Sequence, residues 1–422
     1  MSELQHVERG PAAIAIDAGD LPLGGGLLAL LRPALDRLTP GGVLALLSSS
    51  PSVSEDLPAW CRFEHHTYLG RDAAEDGRDR HLLRRGAWGT PAGERDPGVR
   101  LPRRAGMLTL ADLVEAVPMP PRADPSTGFA PRGARVESGG PVYPFTLLER
   151  DRLAPPEIAK LYDQAVAGQW NATRDIPWET VRPLPVALED AVGQVMTFLA
   201  ENELAALYVP STFLPRIHPA YVEVAMFLAT QLADEARHIE VFLKRARAGA
   251  GGLGVSAATT ARSLHSLLTL TDFTEVAFLL SVLGEGTFLD LLRFVEDHAP
   301  DEATAELARR ARNDEARHVH FGLAHVRHAL AHDSGLAARL EAAVRRRAAT
   351  LQDAGGMPAP LQDALTILAA GDTDPRAVAR GHEAVRELIQ TMHLSRMRRL
   401  ERAGFSTAEA EHLSELHTPN LM

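Results

Sequence analysis

Apolar residues come first in short clusters and only later with a helical period. Between residues 11 and 90, Ala12–Ile16 and Val43–Leu47 are apolar runs of strand length, and His66–Leu69 and His81–Trp88 read as two further strands. Leu27–Leu38 has a helical apolar pattern that follows Gly24-Gly25-Gly26 and stops at Pro40-Gly41-Gly42. Ser54–Cys61 reads as a second, short helix, with Ser52 or Ser54 placed to cap it. The predicted order is β-α-β-α-β-β, a small α+β domain over 11–90.

The pattern then changes twice. Residues 91–150 are dominated by proline, arginine and glycine, as in Pro118–Pro121 and Pro131–Gly140, and only Thr109–Val117 has a helical pattern. So long an irregular stretch is either a linker or an ordered strap laid over another domain. From Pro155 onward the period is helical: Pro155–Gly168, Pro185–Tyr208, Pro219–Ala248, Leu264–His298, Asp301–His332, Gly335–Ala354, Pro358–Ala370, Asp374–Ala403 and Thr407–Leu416. Prolines sit mostly at helix starts, where the missing N–H costs nothing. The expected layout is an all-α bundle over 151–345 and a helical extension over 346–422.

Composition narrows the function. The 422 residues are enough for two or three domains, and 45% hydrophobic with 23% charged residues is the balance of a soluble globular chain. A net charge of −11, from 44 basic and 55 acidic residues, argues against nucleic acid or an anionic membrane as partner. The single cysteine, Cys61, excludes an intramolecular disulfide and a cysteine-rich zinc or iron–sulfur site. No apolar run reaches membrane-spanning length and residues 1–10 are too polar for a signal peptide, so a cytoplasmic location is expected.

The chemistry lies in a repeat. Asp-Glu-Ala-Arg-His occurs as Asp234–His238 and again as Asp314–His318. Residues three apart share a helix face, so Glu235 stands beside His238 and Glu315 beside His318. Each pair is preceded by a lone glutamate in an apolar helix, Glu203 and Glu285, at intervals of 32 and 30 residues. Such intervals suit antiparallel hairpins whose glutamates meet at one level. The second hairpin has matched arms around Pro300, whereas Pro210 and Pro215 interrupt the first, which requires a kinked helix or an extended loop, with Glu201 as fallback ligand. Two Glu-x-x-His pairs plus two further glutamates are the donor set of a helical di-metal site. Four carboxylates match the charge of two divalent ions, and oxygen ligands with two imidazoles suit iron and manganese. Asp234 and Asp314 are expected to hold the imidazoles in a crossed arrangement, Asp234 to His318 and Asp314 to His238, with Arg237 and Arg317 paired to the aspartates.

On these six residues the region 151–345 resembles the ferritin-like di-metal carboxylate superfamily, which includes ribonucleotide reductase small subunits, bacterial multicomponent monooxygenases, arylamine N-oxygenases and ferritins. Trp170–Trp178 is similar to the tryptophan-containing segment that leads into the bundle in reductase-like members, and core packing is the expected role of both tryptophans. The resemblance implies a ferritin-like four-helix bundle with extra helices. Phe242 stands where reductase subunits carry a radical tyrosine, and no tyrosine follows Tyr221, which argues against a reductase subunit. Tyr208 and Thr287 are candidate pocket residues; Gly284 and Gly286 beside Glu285 serve substrate space, a looser helix or close packing. Residues 14–69 resemble TusA-like sulfur carriers through Ile16-Asp17, Leu27–Leu38, the Pro-Gly turn and Leu57–Cys61. The family's Cys-Pro-x-Pro falls on Leu23 and Gly24–Gly26 here, so sulfur transfer is not expected, Cys61 is expected to be buried and structural, and the domain reads as a docking, dimerisation or covering module.

The resulting expectation is an O2-dependent di-iron oxidase or oxygenase, with Mn/Fe as the alternative cofactor, that hydroxylates, N-oxygenates or desaturates a small organic substrate. Glu203, Glu235, Glu285 and Glu315 act through the metal. An external electron donor and a homodimer are expected. The alternatives are a ferroxidase or metal-storage protein, and a non-catalytic scaffold.

Overall fold

In a computed structural model, the structure describes residues 11–87, 106, 108–134, 136, 140–249, 251–351 and 356–417. Contacts divide the described residues into two compact units, one within Met1–Pro102 and Gly133–Pro141 and one within Arg103–Arg132 and Val142–Met422. Trp88, most of 88–107 and residues 352–355 lie outside the described residues, and with them parts of the expected last strand, the irregular stretch and the helix Gly335–Ala354.

The N-terminal unit has the order β1 (Ile14–Asp17), α1 (Leu27–Asp36), β2 (Val43–Ser48), α2 (Pro51–Phe63), β3 (Thr67–Ala73), β4 (Asp79–Arg84). The sheet order is β1-β2-β4-β3; β1 runs parallel to β2, and the other pairs are antiparallel. Leu27, Leu31 and Leu35 of α1 meet Leu44 and Leu46 of β2 and Val53, Leu57 and Cys61 of α2 in one apolar core. Helix α2 begins at Pro51 rather than Ser54, and Ser50 occupies the cap position without a capping side-chain bond, because proline in the first turn already presets the helical φ. Cys61 is fully buried, and that burial pushes its thiol up to about 12, which keeps it unreactive.

The second unit is helical. It contains α3 (Leu110–Ala116), α4 (Ile158–Ala167), α5 (Val186–Ser211), α6 (Val222–Ala248), α7 (Ala258–Leu268), α8 (Phe273–Val276), a π-helical segment (Ala277–Glu285), α9 (Gly286–Asp297), α10 (Glu302–His332), α11 (Leu336–Thr350), α12 (Ala359–Ala370), α13 (Pro375–Ala403) and α14 (Thr407–His417). None of the described helices is long and apolar enough to cross a membrane. Part of the irregular stretch is ordered here: Arg132 forms a bidentate pair with buried Glu223 and also donates to the Ala220 carbonyl at 2.6 Å. Nearby, Tyr221 donates its hydroxyl to the Leu148 carbonyl at 2.7 Å.

One element settles an open alternative and one differs from the sequence reading. Helix α5 continues through Pro210 to Ser211, so Glu203 sits inside the helix and the extended loop is not the arrangement found. The expected single helix Leu264–His298 is instead broken at 269–272. Asp272 caps a new helix there by accepting from Thr274 N (2.9 Å) and Glu275 N (3.0 Å), a local bond that competes with helix continuation. The chain then widens into the π segment that ends on Glu285. Two close approaches accompany it. A Cβ on Gly286 would lie 2.5 Å from Arg399 Nε of α13, and one on Gly322 of α10 would lie 2.7 Å from Ser281 Cβ. Gly286 therefore serves tight packing, the last of its three sequence readings.

Candidate metal centre

Helices α5, α6 and α10 and the π segment each send carboxylates or imidazoles to one buried point. Glu203, Glu235, His238 and Glu315 form one four-donor cluster, and Glu235, Glu285, Glu315 and His318 form a second; within each, the donor atoms lie within 4.8 Å of one another. Glu235 and Glu315 belong to both. All six residues are at most 3% exposed, so no solvent shell satisfies them.

His238 Nδ1 lies 3.2 Å from Glu315 Oε1 and 3.4 Å from Glu235 Oε2. Across the site, His318 Nδ1 lies 3.0 Å from Glu235 Oε1 and 3.3 Å from Glu315 Oε2. Donors about 2.1 Å from a shared ion at right angles stand roughly 3 Å apart, so this spacing is that of a ligand polyhedron. Proximity does not produce hydrogen bonds: Glu203 Oε1, Glu285 Oε2, both oxygens of Glu235 and of Glu315, His238 Nδ1 and His318 Nδ1 are buried with no hydrogen-bond partner. Eight orphaned donor atoms in one spot would be very costly in a core that held nothing. The donor set fits two metal ions.

The outer nitrogens are held in the crossed pattern. His238 Nε2 meets Asp314 Oδ2 at 3.1 Å, and His318 Nε2 meets Asp234 Oδ2 at 3.3 Å. Each arginine bridges both aspartates. Arg237 contacts Asp234 and, at 3.0 Å, Asp314; Arg317 contacts Asp234 at 3.1 Å and Asp314 at 2.5 Å. This lattice fixes each imidazole with Nδ1 facing the cluster. An Asp234→Asn variant keeps the shape and loses the charge facing His318, so metal affinity should fall roughly 10–100-fold. Competition against a chelator measures it, and an unchanged affinity would refute the role.

Three contributors escaped sequence reasoning. Trp170 donates Nε1–H to Asp314 Oδ2 at 2.7 Å and lies under the Arg237 guanidinium at 4.8 Å, so it is part of the lattice as well as of the packing. Gln169 donates to Asp234 Oδ1 at 3.0 Å and accepts from Arg237 at 2.8 Å. Gln231 donates to Glu285 Oε1 at 3.2 Å. For Gln231 a signal existed: it stands four residues before Glu235, on the same helix face.

Other candidates lie elsewhere. Tyr208, five residues past Glu203, falls on the opposite side of α5 and is 60% exposed, so it lines nothing at the centre. Thr287 is buried but donates to the Leu283 carbonyl at 2.7 Å and faces Arg396 of α13. Glu201, the fallback ligand, bonds Ser256 at 2.7 Å near the surface.

Burial and then the neighbouring carboxylates Glu235 and Glu315 hold Glu203 well above the usual carboxylate range. Glu285 is raised in the same way, by burial and then by Glu315. Burial, the largest single influence, would also raise Glu235, but the His318 charge together with the contacts to His238, His318 and Glu203 outweighs it and the net shift is down. For His238 and His318 burial favours the neutral ring, yet the surrounding carboxylates win and lift both well above the ordinary value. The imidazoles and the two outer glutamates are thus shifted toward their protonated forms, and an incoming ion must displace any proton they hold. Metal loading should release protons and weaken as pH falls, because acid refills the same sites. Titration in weak buffer with a pH indicator reads this directly; loading without acidification would contradict it.

No protein-family model matches the chain. Among solved structures, it is similar to an R2-like ligand-binding oxidase with aerobically reconstituted Mn/Fe cofactor (17% identity, 60% of this chain, 92% of that chain, TM-score 0.41). A variant of such an oxidase with anaerobically reconstituted Mn/Fe cofactor gives 17%, 62%, 94% and 0.40. A further aerobically reconstituted variant gives 19%, 61%, 93% and 0.43.

Proposed function

We propose that this protein is a ferritin-like, O2-dependent oxidase or oxygenase with two metal ions, iron–iron or manganese–iron, that oxidises a small organic molecule by hydroxylation, N-oxygenation or desaturation. The observation that carries the reading is the set of eight buried, unpartnered donor atoms, arranged as two clusters that share Glu235 and Glu315. Glu203, Glu235, Glu285, Glu315, His238 and His318 would hold the metals. Such a pair, when bound, supplies the reduction of dioxygen, chemistry that no side chain here can perform.

The chain's own residues do the rest. Glu235 and Glu315 belong to both donor clusters and would help to hold both ions. The Asp234–Arg237–Asp314–Arg317 lattice keeps both imidazoles oriented and balances charge around them. Fully buried Phe242 near His238 keeps that side of the centre dry, and a phenylalanine there offers no oxidisable hydroxyl. An external electron donor, a homodimeric state and a cytoplasmic location accompany the proposal. The N-terminal unit, whose β-α-β-α-β-β order supports the TusA-like reading, is proposed as a docking, dimerisation or covering module without a carrier cysteine.

Metal analysis with Mössbauer spectroscopy of anaerobic and O2-exposed protein tests the reading. A spin-coupled pair that changes oxidation state with O2, followed by turnover of an organic substrate with a reductant, is the expected result. Iron accumulating far beyond two per chain would favour storage instead, and protein from iron-replete cells without bound metal would leave only a scaffold.

A further inference from the structure

A second group of metal-type donors lies on the same helix, far from the first. His328 and His332 occupy successive turns on one face of α10, with ring centroids 4.4 Å apart. Asp151, in a short 3-10 turn at Arg150–Arg152, approaches them; the three offer one donor atom each within 4.8 Å of one another. His332 stands 14 residues after His318, about 21 Å along the helix axis, so this group is separate from the buried centre.

The details differ from those of an ordinary ion pair. His328 Nε2 and Asp151 Oδ1 are 3.6 Å apart, beyond hydrogen-bond range, and His328 Nε2 is buried with no hydrogen-bond partner. His332 places Nδ1 against the His328 carbonyl at 2.8 Å. That contact fixes the tautomer with Nδ1 protonated and leaves the Nε2 lone pair facing outward, as a ligating histidine requires. Arg150 donates to Asp151 Oδ1 at 2.8 Å, so the oxygen nearest His328 is already shared with a guanidinium, and a cation would take its remaining lone pair or the second carboxylate oxygen. Burial, and then the neighbouring His332, also keep His328 below its ordinary value, which favours the neutral ring.

We propose that Asp151, His328 and His332 form a mononuclear site for one borderline divalent cation of the Zn2+ type, with its remaining positions open to water. Two imidazoles and one carboxylate are a sufficient protein share for such an ion. Bound there, the cation cross-links the 3-10 turn to the end of α10. It adds stability through binding to the folded state alone. The site does not depend on the redox reading of the buried centre.

The test is a Zn2+ titration of the full chain, read by calorimetry and by metal content after gel filtration. The expected result is one equivalent more in the wild type than in His332→Ala, with that equivalent weakened roughly 100-fold or more in the variant and the equivalents of the buried centre unchanged. Zn2+ should also raise the melting temperature of the wild type by more than that of His332→Ala. His332 is exposed, so the variant should fold; Asp151→Asn repeats the test from the other element. Equal stoichiometry and affinity in wild type and either folded variant would overturn the proposal, as would a wild type that binds no Zn2+ beyond the buried centre.

Discussion

Replacing Glu235 or Glu315 with alanine should remove both metals together, taking the content from about two per chain to near zero. Replacing Glu203 or Glu285 should cost about one. The reason is the overlap: Glu235 and Glu315 occur in both donor clusters, Glu203 and Glu285 in one each. Losing a shared carboxylate takes a donor from each position and removes negative charge that keeps two cations tolerable side by side. Losing an outer carboxylate leaves the opposite position with all four of its donors. Inductively coupled plasma mass spectrometry after loading and desalting reads the difference. Equal losses from all four substitutions would show that the ions are not bridged by Glu235 and Glu315. Misfolding is controlled by Glu203→Gln. Burial and like charges hold this carboxyl above its unfolded value, so its ionisation opposes folding as pH rises. The metal-free Glu203→Gln protein should therefore melt no lower than wild type at neutral pH, while still losing one metal.

The largest stability effect is expected at Arg245, well away from that chemistry. Its side chain is fully buried, and it donates to Glu189 at 3.0 Å, Asp301 at 2.8 Å and Thr304 at 2.6 Å. It thereby joins α5, α6 and the capping turn of α10. Arg245→Met preserves much of the volume but removes the guanidinium partner of the Glu189 and Asp301 carboxylates, of which only Asp301 keeps other donors, from Thr304. Breaking one side of a buried ion network costs roughly 3–5 kcal/mol, which lowers the melting temperature by on the order of 10 °C in a unit of this size. A thermal melt checks it. A change within a degree or two would mean that the carboxylates take up protons at no cost or that water reaches them.

The six donors were legible because their signal is local. Three-residue spacing puts a glutamate beside a histidine on any α-helix, and the same pentapeptide twice, each behind a lone glutamate, leaves little else for them to do. Reading the crossed aspartates needed one further step, that a ligating imidazole seeks an acceptor for its second N–H. Positions judged by closeness in sequence alone fared worse. Tyr208 follows Glu203 by five residues, which is far around the helix, and Thr287 follows Glu285 by two. Trp170 and Gln169 were out of reach because their partners are 144 and 65 residues away.

By itself the sequence determined the helices, most of their ends and the six carboxylate and imidazole residues that meet in one buried cluster, since periodicity, caps and i,i+3 spacing act within a few residues. Only the tertiary structure decided that Pro210 is absorbed in α5, that the third carboxylate helix breaks at Asp272 and opens into a π turn before Glu285, and that two arginines each span two aspartates. Those outcomes depend on which segments approach closely, as where the Gly286 backbone meets the Arg399 side chain and Gly322 meets that of Ser281. Such contacts join segments tens of residues apart, and their energies exceed the local preferences that a chain displays along its length.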